Sequence, residues 1–231
     1  MKTVLITGAN RGLGLEFCKQ YAVQGWGVIA CCREPKKAQL LNELADSNKA
    51  VKVYKLDVVD RAGVDTLARE LTTKTIDLII ANAGVYGDSP LHGFGRLNYN
   101  DWVKTLETNV LGVVKVIEAF MPHLIKSTKP HIAVLSSQMG SIDDNSSGGS
   151  LLYRSSKAAL NATMKSLSID LRNDGVGVQI FHPGWVKTDM GGPQALINTE
   201  TSIKGMIKQI SSFKMSQSGQ FIKYDGSLLP W

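Results

Sequence analysis

Short apolar runs alternating with longer amphipathic ones restrict this chain more than any other property of its sequence. Thr3–Thr7, Val28–Cys32, Val51–Leu56, Leu78–Ala81, Ile132–Leu135 and Val178–Phe181 have the length and near-continuous apolar character of strands buried on both faces. Between them, Leu13–Gln24, Lys36–Ala45, Val64–Leu71, Trp102–Ile125 and Leu152–Leu171 place apolar residues three and four apart, the repeat of a helix with one buried face. Strands separated by helices need crossover connections, and right-handed crossovers give a parallel sheet covered on both sides. The expected fold is α/β, a doubly wound parallel sheet of about seven strands with helices on both faces.

The chain has 231 residues and no repeat or linker divides it, so one domain over 1–231 is expected. Its three cysteines, two of them adjacent at Cys31 and Cys32, form neither a disulfide framework nor a metal-binding spacing, which fits a reducing, cytoplasmic setting. The four histidines do not add ligand spacing either, so no metal is expected. Met1–Ile6 opens like a secretion signal, but Thr7-Gly8-Ala9-Asn10-Arg11 breaks the apolar stretch, and no run reaches the roughly eighteen apolar residues a membrane span requires. The net charge is +6 with lysine and arginine scattered rather than clustered, which argues against nucleic acid and is compatible with a polyanionic cofactor. Two polar stretches, Asp143–Ser150 and Asp189–Asn198, read as loops beside the ligand-binding edge of such a sheet. The second, with Gly191-Gly192-Pro193, is expected to be a mobile lid, and a short helical pattern follows from Thr201 to Ile210.

The first run leads into Thr7-Gly8-Ala9-Asn10-Arg11-Gly12-Leu13-Gly14, a glycine-rich turn opening a helix. Glycines there let the backbone approach a pyrophosphate, whose charge meets the N–H groups of the helix N-terminus, so the sheet is expected to be of the Rossmann type. The second strand ends in Arg33 rather than an acidic residue, which points to NADP(H) through its 2′-phosphate, with Arg11 as a second clamp; each could instead be a solvated surface arginine. Asp57, with Val58 beside it, could accept from the adenine amino group, or could cap a helix.

Of six tyrosines only Tyr153 has a lysine four residues later, Lys157, so one helical turn puts the pair on one face. A cation about 4 Å from the phenol in an effective dielectric near 20 contributes roughly 4 kcal/mol, or about three pKa units, which would bring the phenol near 7. Ser136-Ser137 end the strand upstream, Asn82-Ala83-Gly84 end the fourth strand, and Asn109 lies in the helix that follows.

The glycine spacing, Asp57, Asn82-Ala83-Gly84, Asn109, Ser137, Tyr153, Lys157 and His182-Pro183-Gly184 with Thr188 occur in the order of the short-chain dehydrogenase/reductase family, which the chain resembles over nearly its whole length. Within that family it is most similar to the C-factor and sniffer-like carbonyl reductases, from Asn10-Arg11-Gly12-Leu13-Gly14, His182–Met190 and the ending Tyr224-Asp225-Gly226 with Pro230-Trp231.

The resemblance implies that Tyr153 donates a proton to a substrate carbonyl and that Ser137 hydrogen-bonds the same oxygen. It implies too that Lys157 holds the nicotinamide ribose and lowers the phenol pKa, while Asn109 holds a water that passes protons onward. The cofactor set it implies is Gly8, Asn10, Arg11, Gly12, Leu13, Gly14, Arg33, Asp57, Val58, Asn82, Ala83, Gly84, Tyr153, Lys157, Pro183, Gly184, Val186 and Thr188. Asn82 would act at the adenine ribose edge, although Ala81 replaces the first Asn of the family's usual run. The choice of Ser137 over Ser136 rests on the family pattern, because the stretch before Tyr153 is longer than in many relatives.

NADPH-dependent reduction of an aldehyde, ketone or quinone is the expected activity, with self-association to a homodimer or homotetramer through the helices bearing Asn109 and Tyr153. Val113, Val114, Ala159 and Met164 are read as apolar positions outside the sheet contact. A nucleotide-binding signalling or scaffold protein is the alternative. An epimerase or dehydratase is disfavoured by the short chain and by the turn spacing.

Overall fold

The structure, a computed structural model, describes residues 1–231. Six of the seven strands match the apolar runs closely: β1 (Thr3–Thr7), β2 (Gly27–Cys32), β3 (Val51–Lys55), β4 (Leu78–Ala81), β5 (His131–Leu135) and β6 (Gly177–His182). The sheet is completed by β7 (Gln220–Lys223), in the order β3-β2-β1-β4-β5-β6-β7, and all pairings are parallel. The seventh strand went unread in the sequence because only Phe221 and Ile222 in it are apolar and buried. Two apolar residues are too few to show a period of two.

Each strand alternates its side chains between the two sheet faces. Leu5, Ile79 and Val134 face one layer, formed by α3 (Arg61–Glu70), α4 (Tyr99–Leu106), α5 (Gly112–Leu124) and α6 (Leu151–Asp170). Val4, Ile6, Leu78 and Leu135 face the other, formed by α1 (Gly12–Val23), α2 (Gln39–Ser47) and α7 (Thr199–Ser211). The same alternation sends Cys31 and Cys32 to opposite faces. Burial pushes the thiols of Cys18 and Cys31 far up, so all three cysteines act as small core hydrophobes.

The long helix expected over Trp102–Ile125 is divided. A π-helical turn at Glu107–Leu111 separates α4 from α5, and Asn109 lies inside it, fully buried. Gly112 follows because the backbone there lies flush on β3's exit: a Cβ on it would come 2.9 Å from Val58 Cγ2. Helical periodicity survives an insertion of this kind, so the sequence reads as one helix.

Strand order reverses between β1 and β4, and the carboxyl ends of β1, β4, β5 and β6 open into connections that carry the glycine-rich turn, Asn82-Ala83-Gly84, Ser137 and Pro183–Thr188, while Arg33 and Asp57 follow β2 and β3 on the same edge. Ligands of open α/β sheets bind at such a reversal.

Candidate active site

At the end of β1, Gly8 (φ 66°) and Gly12 (φ 55°) hold left-handed backbone that favours glycine. Gly14 is needed for a different reason: a Cβ there would collide with the Gly8 carbonyl oxygen, so the helix packs directly on the turn. Helix α1 starts at Gly12 with no side-chain cap, which leaves its first N–H groups to an outside acceptor. Asn10 and Leu13 are half-buried in the same turn. A cradle of uncapped amides without side chains over it fits a pyrophosphate.

The turn is fastened to its neighbours by contacts the sequence did not reveal. Thr7 Oγ1 accepts from the N–H groups of Asn82 (3.1 Å) and Ala83 (3.0 Å), and Ala9 N donates to the Cys31 carbonyl. Asn82 was expected at a ribose edge, but its side-chain Nδ2 donates to the carbonyls of Thr7 (2.8 Å) and Gly8 (3.1 Å). It therefore clamps β4 to the turn.

Arg33 is exposed at the lip of a cleft of about 400 Å³ that Lys104, Thr105 and Thr108 also line. Arg11 forms an ion pair with Asp189. Asp57 accepts from Val59 N in a tight turn, Val58 is buried beneath it, and the cap of α3 is Asp60, which accepts from Gly63 N. The helix-cap alternative for Asp57 is thus replaced.

After β6, Gly184 (φ 87°) starts a segment that folds back on itself. Val186 bridges to Ile197, and the N–H groups of Leu196 and Ile197 donate to the Trp185 carbonyl. Trp185 Nε1 donates to Gly191 O (2.7 Å), and Thr188 Oγ1 accepts from Gly191 N (3.1 Å). Asp189–Asn198, expected as a mobile lid, is tied by these bonds to the strand-proximal half of its own segment. Pro183 is anchored through its carbonyl by Ser202 of α7, and the Thr188 methyl lies 3.4 Å from where a Gly12 Cβ would be. The segment therefore reaches the glycine-rich turn from the far side.

Ser137, Tyr153, Lys157 and Asn109 meet between these walls. Ser136 and Ser137 are separated here by geometry. Ser136 Oγ donates to Asn161 Oδ1 of α6, whereas the Ser137 hydroxyl stands beside the Tyr153 phenol and accepts from Met139 N. Lys157 Nζ lies 5.7 Å from the centre of the Tyr153 ring and donates to the Leu135 carbonyl (2.8 Å). Gly84 lies between the groups: a Cβ there would be 3.2 Å from Asn109 Oδ1 and 3.7 Å from Lys157 Nζ. Asn109 accepts from Val85 N and donates to Val85 O and to Ser156 Oγ. Both its amide hydrogens are taken, so it joins the exit of β4 to α6, and any water contact falls to a remaining lone pair or to the backbone that the π-turn opens.

The phenol is not near 7. Burial pushes Tyr153 up to about 12, the neighbouring Ser137 hydroxyl pulls down, and the Tyr86 phenol pushes up. Lys157 is itself lowered to about 8 by burial, and its ammonium is turned to a backbone carbonyl rather than to the phenol oxygen. Desolvation outweighs the lysine's field in this arrangement, so at neutral pH the phenol holds its proton.

The family model for short chain dehydrogenases matches residues 2–196. The chain is 40% identical to C-signal of Myxococcus xanthus over 164 residues, covering 71% of this chain and 98% of that one. Among solved structures, the NADPH-bound carbonyl reductase from chicken fatty liver superposes with a TM-score of 0.93 at 33% identity, covering 100% of this chain and 99% of that one. Carbonyl reductase Sniffer of D. melanogaster superposes with a TM-score of 0.92 at 32% identity, covering 100% of both. The chain belongs to the short chain dehydrogenase family, an oxidoreductase family. No helix is long and apolar enough to cross a membrane.

Proposed function

We propose that the chain is an NADPH-dependent carbonyl reductase in which Tyr153 is the general acid. The observation that carries this reading is a buried phenol, with the Ser137 hydroxyl beside it and Lys157 behind its ring, at the sheet edge beside an uncapped glycine-rich turn. NADPH, when bound, supplies a hydride.

The chain's own residues do the rest. A substrate oxygen placed between Tyr153 and Ser137 receives two O–H donors as negative charge develops on it, and the Tyr153 proton passes to that oxygen. A phenol raised by burial carries its proton at neutral pH, the form a general acid needs. Lys157 lies under the Tyr153 ring with Nζ within 4 Å of where a Gly84 side chain would begin, so it is placed to hold the nicotinamide ribose hydroxyls. Arg33 is assigned to the 2′-phosphate, and Gly8–Gly14 to the pyrophosphate. Asp57 and Val58 are assigned to the adenine; Asn82, Ala83 and Gly84 form the floor, and Pro183, Gly184, Val186 and Thr188 the nicotinamide wall.

A panel of aldehydes, ketones and quinones, followed by loss of NADPH absorbance, tests the reading. Tyr153→Phe should lower turnover by about 10²–10⁴-fold with NADPH affinity nearly unchanged, since it deletes the proton and keeps the ring. A Tyr153→Phe chain that reduces its best carbonyl at the wild-type rate ends the proposal. Binding of NADPH with no turnover of any carbonyl would favour a signalling role, the reading that similarity to C-signal keeps in play.

A further inference from the structure

We propose that Asp88 is a positioning residue that sets the placement of the Tyr153 phenol, an inference resting on the general-acid reading above. Its basis is how α6 begins. Ser150 occupies the N-cap position but has left-handed backbone (φ 47°, ψ 48°) and makes no capping bond. It is the one non-glycine residue with positive φ in the chain. Its hydroxyl is taken up by the Tyr86 hydroxyl at 2.6 Å.

The first free N–H groups of the helix are met instead from another part of the chain. Asp88 Oδ1 accepts from Leu152 N (3.2 Å) and Oδ2 from Tyr153 N (2.8 Å). A carboxylate is the best available acceptor at this helix end, where the N–H dipoles converge. One of the two bonds is to the backbone of Tyr153 itself, so the carboxylate fixes the residue that carries the phenol.

The segment bearing Asp88 is held from three sides. Gly87 (φ 80°) is pressed on α4, where a Cβ would collide with Thr105 Oγ1. Upstream, Val85 is paired to Asn109 through both its N–H and its carbonyl. Between them, the Tyr86 ring packs on the Tyr153 ring with centroids 4.9 Å apart. Val85–Asp88 thus braces the catalytic helix from the β4 side, as Trp102 Nε1 does through Ser155 Oγ (2.8 Å) one turn on. Asp88 touches no reacting atom; its effect passes through the helix start.

The test compares Asp88→Ala and Asp88→Asn with wild type in the full chain, using NADPH and 4-nitrobenzaldehyde or the panel carbonyl that turns over fastest. In Asp88→Ala the Leu152 and Tyr153 amides should exchange hydrogen about 10-fold faster or more, and kcat should fall roughly 10- to 100-fold, the scale of a displaced catalytic group. NADPH affinity, read by nicotinamide fluorescence, and substrate KM should stay within about 2-fold, because the nucleotide cradle lies on other elements. Asp88→Asn should have an intermediate kcat, between Asp88→Ala and wild type, since its carboxamide oxygen still accepts one of the two bonds.

Wild-type kcat with faster exchange, unchanged exchange at both amides, or a kcat loss matched by an equal loss of NADPH affinity would each overturn the assignment. If Asp88→Ala does not fold, Asp88→Asn decides alone: an intermediate kcat with wild-type NADPH affinity supports the role, and wild-type kcat overturns it. Inactive Tyr153→Phe beside fully active Asp88→Ala rejects only the positioning role, whereas active Tyr153→Phe rejects the general-acid reading beneath it.

Discussion

Lys157 meets two opposing demands. Its ammonium is fully buried, and desolvation lowers it to about 8 from 10.5. The unfolded chain therefore holds more protons between about pH 8 and 10.5, so this group's contribution to stability improves as pH rises through that window and is unfavourable below it, by about 3 kcal/mol. Lys157→Met keeps the stem, removes the charge and loses the bond to the Leu135 carbonyl. It should melt at or above the wild-type temperature at pH 7 while losing at least about 10²-fold in turnover, a trade-off expected where function strains a fold. A clearly lower melting temperature would show that the carbonyl bond outweighs the desolvation. Arg33 raises a simpler question at the same scale. It is exposed at a cleft lip, so Arg33→Ala should leave stability alone and weaken NADPH by about 10- to 100-fold while sparing NADH, as measured by titration of both. Equal weakening of the two would remove it from the 2′-phosphate.

At the scale of elements, the connections after β4, β5 and β6 do the positioning, and each ends against α6 or the glycine-rich turn. Sequence patterns marked where these connections start, at Asn82, Ser136 and His182, because chemistry-bearing residues sit at strand ends. What they touch was not marked: Asp88 is 64 residues from Leu152, and Asn161 holds the Ser136 hydroxyl from one turn beyond Lys157. Oligomer formation also belongs here. Val113 and Met164, counted in the sequence as outward apolar residues, are core, while Val114 and Ala159 are half-buried. The proposed interface therefore moves to the outer faces of α4, the π-turn and α6, where Val103, Leu111 and Ile169 are exposed. Light scattering at micromolar concentration should give the mass of a dimer or tetramer; a monomer's mass would reject self-association.

For the molecule as a whole, a buried histidine and a half-buried one weaken the fold in acid. Burial lowers His131, stacked on Phe213 at the entry of β5, to about 4, and lowers His182 at the exit of β6 to about 4. Both sit near 6.5 in the unfolded chain, which therefore binds more protons between about pH 4 and 6.5. Stability should fall by several kcal/mol as pH drops through that window. Urea midpoints at pH 7.5, 6 and 5 should decline in that order. His131→Phe, which preserves stacking on Phe213, should give a shallower decline; an unchanged slope would assign the acid loss elsewhere.

The alternation of apolar runs was enough to determine the parallel sheet, because a strand buried on both faces must be apolar throughout and a parallel neighbour must be reached by a crossover. The glycine spacing and the Tyr153–Lys157 interval were equally readable, since a tight turn and a single helical turn are local geometry. Tertiary structure alone decided the charge states and the partners. Whether the lysine lowers the phenol depends on which acceptor its ammonium reaches and on how much water the surrounding core excludes, and the sequence encodes neither within any short window. The same holds for the cap on α6. A helix start without a side chain of its own to satisfy it takes whatever acceptor the fold brings alongside, and here the connection leaving the neighbouring strand β4 supplies Asp88.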